Sequence, residues 1–136
     1  MINDILKLMS QMDLGNKNEK ANTLIEEIEK KLNFKFPIQY KEFMLKYDGA
    51  EGEIGENSYL VIWPLKEIVS LNEEFEISKY IPDLICFGSD GGGMGYAFKR
   101  TNPVTFVEFP FESIDINDVT EISDSFDNFI KSLYEN

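Results

Sequence analysis

The side chains that could do chemistry in this chain are mainly carboxylates: there are 25 Asp and Glu, one cysteine and no histidine. Without histidine the chain lacks the commonest general base and the commonest zinc ligand. Cys86 lies inside an apolar run, where a buried and inert thiol is expected. Carboxylate pairs can hydrolyse glycosidic bonds, but the spacing selects no such pair from the 25. We therefore predict that the protein is not an enzyme.

Two groups of carboxylates are concentrated along the chain. The first group is interspersed with three glycines and consists of Asp48, Glu51, Glu53 and Glu56. The segment 101–130 holds seven acidic residues and no Lys or Arg. Three of them form the second group of candidate contact residues: Glu112, Asp115 and Asp118. The net charge of −12 disfavours nucleic-acid and membrane partners and attracts basic protein surfaces. The charge fits either simple solvation or contact with a basic partner.

A run of three glycines, 91–93, is a further candidate for a binding site. Such loops expose N–H groups that can cradle phosphate, but no helix pattern follows this run and the surrounding charge is negative. We predict instead a tight reversal with positive φ, in which Asp90 accepts hydrogen bonds from backbone amides ahead of it. Neither Asp90 nor the first acidic group has the spacing of a calcium loop, so we predict no metal and no cofactor.

Helical patterns fill the first part of the chain. Apolar spacing predicts a short first helix, and Thr23 followed by Glu26 is a capping-box pattern that starts a second helix. Pro37 suits the first turn of a third helix, and Gly49 is placed to cap its C-terminal end in a left-handed conformation. A glycine-rich loop that carries the first acidic group should follow, as far as Gly55.

Strand patterns begin after this loop. The β-branched and aromatic run 59–63 predicts a strand, with Trp63 in the core at its end. The segment 65–80 is ambiguous, although the spacing of its apolar residues favours a helix. The segments 84–87 and 95–98 flank the glycine run and predict a hairpin.

The last part of the chain completes a sheet and closes it with a helix. The segment 104–109 predicts a third strand of this sheet, and Ile114 and Ile116 predict a short edge strand. A helix from about Ser125 to Tyr134 ends the chain. The order of elements predicts an α+β fold with a central, mostly antiparallel sheet packed against N-terminal and C-terminal helices. The length fits a single domain, 1–136.

These elements, in this order, resemble the SUKH family over residues 24–133. The resemblance is carried by Phe36-Pro37-x-x-Tyr40-x-x-Phe43 ahead of Asp48-Gly49, the region 63–72, the glycine-rich hairpin and the terminal Ser125-Phe126-x-x-Phe129-Ile130. The resemblance implies one sheet packed against helices, and motif residues that serve as scaffold rather than as a catalytic set. Bacterial members of this family are mostly immunity proteins against secreted toxins, frequently nucleases. Other members are regulatory or scaffolding domains, including a yeast regulator of cell-wall synthesis.

The resemblance and the charge together predict an inhibitor that binds a toxin with a basic surface, because a nuclease must be basic where it grips phosphate. The expected contacts are the two acidic groups: Asp48, Glu51, Glu53, Glu56, Glu112, Asp115 and Asp118. A regulatory or scaffolding domain without a toxin is the alternative, and a small-ligand binder with a deep apolar cavity is a third possibility. We expect a cytoplasmic protein, because the chain shows no basic leader and no apolar stretch of about 18 residues.

Overall fold

A computed structural model describes residues 2–136, with side chains from Asp4 onward, and shows seven strands and six α-helices in that range. The helices are α1 (Ile2–Leu8), α2 (Ala21–Leu32), α3 (Ile38–Lys46), α4 (Leu65–Glu74), α5 (Ile77–Tyr80) and α6 (Phe126–Glu135). The strands are β1 (Asp13–Leu14), β2 (Ala50–Ile54), β3 (Ser58–Ile62), β4 (Leu84–Ser89), β5 (Met94–Lys99), β6 (Thr105–Pro110) and β7 (Thr120–Ser123). The predicted α+β fold is confirmed.

The strands follow one another across the sheet in chain order, and each pairs antiparallel with its neighbours. The predicted hairpin is β4 and β5, and its turn is the one expected. Gly91 has φ +81°, and Asp90 Oδ1 accepts hydrogen bonds from the amides of Gly92 at 2.8 Å and Met94 at 3.1 Å. The glycine run is therefore a chain reversal held by an aspartate.

One face of the sheet, the helical face, carries the larger core. The helices α1, α2, α3 and α6 place apolar side chains on it, where they meet fully buried rings from the strands. Phe87 and Phe98 stack with ring centroids 4.5 Å apart, and Tyr40 of α3 lies edge-on to Phe98 at 4.9 Å. Phe129 of α6 meets Phe87 at 5.4 Å. Burial of large rings is the strongest single contribution a side chain makes to a core, so this face holds the fold together.

The opposite face, the outer face, carries a smaller cluster that covers only part of it. Its buried members are Trp63, Ile77, Ile81, Leu84, Cys86, Ala97, Val107 and Phe109. Phe75 and Phe111 stack over this cluster with centroids 4.6 Å apart, and both rings are half-buried. The placement of Trp63 in the core at the end of β3 is confirmed.

Helix α4 connects the two faces through Asn72. The amide nitrogen of Asn72 donates to the carbonyl of Cys86 at 2.8 Å, and its amide oxygen accepts the N–H of Cys86 at 2.8 Å. Because β3 pairs with β4 only at Val61–Ser89 and Ile62–Gly88, Cys86 has no strand partner on that side. The Asn72 side chain therefore takes the place of a neighbouring strand.

The start of α2 differs from the capping-box prediction. The helix begins at Ala21, and Thr23 is an exposed residue of its first turn. Asn18 organises the start instead, because its side-chain oxygen accepts the N–H of Lys20 at 2.8 Å and its carbonyl accepts the N–H of Ala21 at 2.9 Å. Pro37 was predicted in the first turn of α3, but the helix begins at Ile38 and Pro37 is its N-cap.

The predicted loop that precedes Gly55 is also wrong, because residues 50–54 form strand β2. Ala50 and Ile54 point into the core, and the glutamates between them point outward. Gly49 has the predicted positive φ of +93°, but it does not cap α3, which ends against Tyr47. A Cβ on Gly49 would lie 2.6 Å from the carbonyl oxygen of Ile62, so the glycine permits a close approach of two backbones.

The edge strand predicted at Ile114 and Ile116 is wrong as well. A 3₁₀ turn spans Ile116–Asp118, and the strand beside β6 is β7. Asp115 caps this turn by accepting the N–H of Asn117 at 2.8 Å, so the local aspartate hydrogen bond wins over the strand preference of the isoleucines. Ile116 is consequently exposed.

Candidate functional site

Two glutamates of β2 stand on the uncovered part of the outer face. Because successive side chains of a strand alternate between faces, the inward Ala50 and Ile54 force Glu51 and Glu53 outward. Glu51 lies opposite Asp13 of β1 in the strand register, and Asp13 is also exposed. We call Asp13, Glu51 and Glu53 the acidic strip. The sequence did not reveal that Asp13 belongs to it, because that membership depends on the register between β1 and β2.

Tyr59 of β3 lies beside the acidic strip, and the negative charge of the strip affects the pKa of its hydroxyl. Its hydroxyl donates to Glu51 Oε2 at 2.8 Å. The pKa of this hydroxyl is raised, first by the hydrogen bond to Glu51, then by partial loss of solvation, and then by the charges of Glu51, Asp13 and Glu53. No Lys or Arg of the described residues forms an ion pair with the strip. The strip is therefore a small surface of uncompensated negative charge.

The other two members of the first acidic group lie in different surroundings. Glu56 is exposed in the turn between β2 and β3. Asp48 is half-buried, and its Oδ1 accepts the N–H of Leu65 at the first residue of α4 at 2.9 Å. Its Oδ2 accepts from the side-chain amide of Asn18 at 3.4 Å. Asp48 thus caps α4 from a distance, and it also lines a surface cavity together with Asp13 and Glu51 of the acidic strip.

The second acidic group lies on the segment that follows β6. Glu112, Asp115 and Asp118 are exposed there. Ile114 and Val119 of the same segment pack against the smaller cluster, so the segment lies over the outer face. The strip and the second group therefore stand on the same side of the sheet with the smaller cluster between them. Contact of either group with a partner stays a prediction.

Charge is distributed unevenly along the chain. Residues 1–46 hold eight basic and seven acidic residues, whereas residues 47–136 hold five basic and eighteen acidic residues. The first part supplies α1, α2 and α3, which cover the helical face, and the second part supplies β2 to β7. The negative charge is thus concentrated away from the first three helices.

The remaining chemical candidates are fixed in the fold. Cys86 is fully buried, and burial raises the pKa of its thiol to about 12, which keeps it protonated at neutral pH. Within residues 2–136 no group of three or more His, Cys, Asp and Glu side chains is arranged to hold a metal ion. Each helix in the described part of the chain is too short or too polar to cross a bilayer.

Comparison with known proteins gives one informative result. The sequence model of the SMI1 / KNR4 family (SUKH-1) matches residues 21–132, which include every strand from β2 to β7. Comparison with individual curated proteins gives no match.

Proposed function

The chain belongs to the SMI1 / KNR4 family (SUKH-1), and from this premise we propose that it is an immunity protein that binds a cognate secreted toxin, a nuclease, and blocks it. Membership of this family supports a role of the immunity type. Binding alone suffices for this role, because an occupied nuclease cannot reach its substrate.

The observation that carries the proposal is the acidic strip on the outer face. A nuclease needs a basic surface to hold phosphate, and an acidic protein can occupy that surface after a fast, electrostatically steered encounter. Asp13, Glu51 and Glu53 are exposed, and no Lys or Arg of the described chain is paired with them. They are free to pair with cations of a partner. The exposed second group on the same side of the sheet extends the acidic area.

Co-expression tests the proposal. The chain would be produced together with each candidate toxin encoded at the same locus, and growth would be scored against cells that carry the toxin alone. We expect one toxin to be neutralised, and we expect the purified pair to form a stoichiometric complex. An inactive variant of that toxin serves as the control for unspecific effects on growth. The proposal is wrong if no candidate is neutralised, and the regulatory role found elsewhere in the family would then be the better account.

A further inference from the structure

A groove of about 600 Å³ lies at the C-terminal end of α6. It is bounded by the β2–β3 turn, by Asp90 of the β4–β5 turn, and by Tyr96 and Glu108 on β5 and β6. It is open because β3 pairs with β4 at two positions only, so Ser58 and Tyr59 stand apart from the end of β4. None of its lining residues is Lys or Arg.

Tyr96 gives the groove a polar group that lacks a partner. The residue is 4% exposed, and its ring lies edge-on to Phe129 with centroids 5.1 Å apart. The hydroxyl makes no hydrogen bond with any described residue, and it is not one of the fully buried polar atoms, so it can be reached from the groove. Burial, followed by the charges of Glu108 and Asp90, raises the pKa of this hydroxyl to about 12, so it stays protonated, and its oxygen can still accept a hydrogen bond.

Glu108 adds a carboxylate to the groove that also lacks a partner among the described residues. It lies opposite Tyr96 in the register of β5 and β6, so both side chains stand on one face. It makes no hydrogen bond or ion pair with the described residues. Partial burial, followed by the charge of Asp90, raises the pKa of Glu108. Two carboxylates and a phenol thus share a concave site that is lined by no Lys or Arg of the described residues.

We propose that this groove receives the guanidinium group of an arginine side chain from the partner protein. The source of the arginine rests on the proposed function, whereas the chemistry of the groove does not. Guanidinium offers five N–H donors in a planar fork, which suits the acceptors of Glu108 and Asp90 better than a compact ammonium does. Tyr59 also lines the groove and donates to Glu51, so this residue lies between the acidic strip on the outer face and the groove, whose Tyr96 and Glu108 stand on the other face at the end of α6.

A titration followed by NMR tests the chemistry without a toxin. The full chain would be titrated with N-acetylarginine methylamide and, in parallel, with the citrulline analogue, which has almost the same shape and no charge. We expect saturable shifts at amides 95–97 and 107–109 for the arginine probe alone. Glu108→Gln should weaken binding about tenfold, since it removes a charge-assisted hydrogen bond, and Tyr96→Phe about threefold. Glu121→Gln, an exposed change on β7 outside the groove, should change nothing.

Three results would overturn the inference: an equal response to both probes, unchanged affinity in Glu108→Gln, or shifts confined to Asp13, Glu51 and Glu53. Thermal unfolding of each variant checks that it is folded, and Glu108→Gln should fold well because it removes an unpaired charge.

The complex with the neutralised toxin provides a second experiment, in which Glu108→Gln should weaken the affinity about tenfold. Neutralisation without arginine binding would refute the groove and leave the immunity role intact. Arginine binding without a neutralised toxin would support the groove and refute the immunity role.

Discussion

The two faces of the sheet differ in what covers them and in the charge around them. The helical face is closed by α1, α2, α3 and α6 over a continuous set of buried aromatic rings. The outer face has a smaller cluster with half-buried Phe75 and Phe111 as its cover, and the rest of it shows the acidic strip. This difference separates two tasks, because the helical face supplies stability while the outer face keeps exposed charge for recognition.

The largest expected effect is on stability at the helical face. Phe98 is fully buried and contacts the rings of Phe34, Phe36, Tyr40, Phe87 and Phe106. We expect Phe98→Ala to lower the free energy of unfolding by about 3–5 kcal/mol, since it removes contacts and leaves a cavity. Phe111→Ala, on the outer face, should cost about 1–2 kcal/mol because that ring is half-buried. Urea denaturation measures both, and equal losses would contradict the division between the faces.

The second prediction concerns Asn72, whose side chain hydrogen-bonds to the edge of strand β4. Asn72→Ala removes both hydrogen bonds to the backbone of Cys86 and leaves a buried N–H and a carbonyl without partners. We expect a loss of about 2 kcal/mol in the free energy of unfolding and faster hydrogen exchange at the Cys86 amide. Ser70→Ala, an exposed change on the same helix, is the matched control and should be nearly neutral. A neutral Asn72→Ala would show that β4 needs no such partner.

A smaller effect separates Asp48 from the other acidic residues. Asp48→Ala removes the acceptor at the start of α4 and should destabilise the protein by about 1 kcal/mol. Glu56→Ala, from the same predicted group, should leave stability within about 0.5 kcal/mol because Glu56 is exposed. Thermal or urea unfolding distinguishes them. If Asp48→Ala had no effect on stability, its assignment as a helix cap would be wrong.

The smallest effect concerns pH and Glu108. The pKa of Glu108 is raised in the folded protein, so the folded state prefers the protonated acid. Stability from this group is therefore present at low pH and is lost as pH rises from the unfolded pKa through the folded one. At about pH 7 Glu108→Gln should be more stable than the parent by a few tenths of a kcal/mol, and at about pH 4 the two should coincide. Urea unfolding at both pH values checks this, with a parent more stable at the higher pH as the contrary result.

Local patterns predicted the elements that depend on neighbouring residues. Helix α6 follows from the spacing of Phe126, Phe129, Ile130 and Leu133, all of them buried. The β4–β5 hairpin follows from two apolar runs around Asp90 and the glycines. These features are set within a few residues of sequence, so the chain alone reveals them.

Most of the site features that escaped prediction depend on contacts between distant segments. Strand β2 is poor in β-forming residues, and its pairing with β1 and β3 decides its conformation. Asp48 caps a helix that begins 17 residues later in the chain. Tyr96 and Glu108 share a groove only through the register of two strands. Of the predicted contact residues, the sequence identified Glu51 and Glu53 as exposed acids but could not show that Asp13 stands beside them.

The affinity of the neutralised toxin for two double variants tests the central claim most directly. Glu51→Lys with Glu53→Lys reverses the acidic strip, and Glu26→Lys with Glu27→Lys makes the same charge change at exposed positions of α2. We expect the first pair to weaken the complex on the order of a hundredfold and the second pair to change it less than about threefold. Equal weakening by both pairs, or an unchanged affinity after reversal of the strip, would contradict recognition through the outer face.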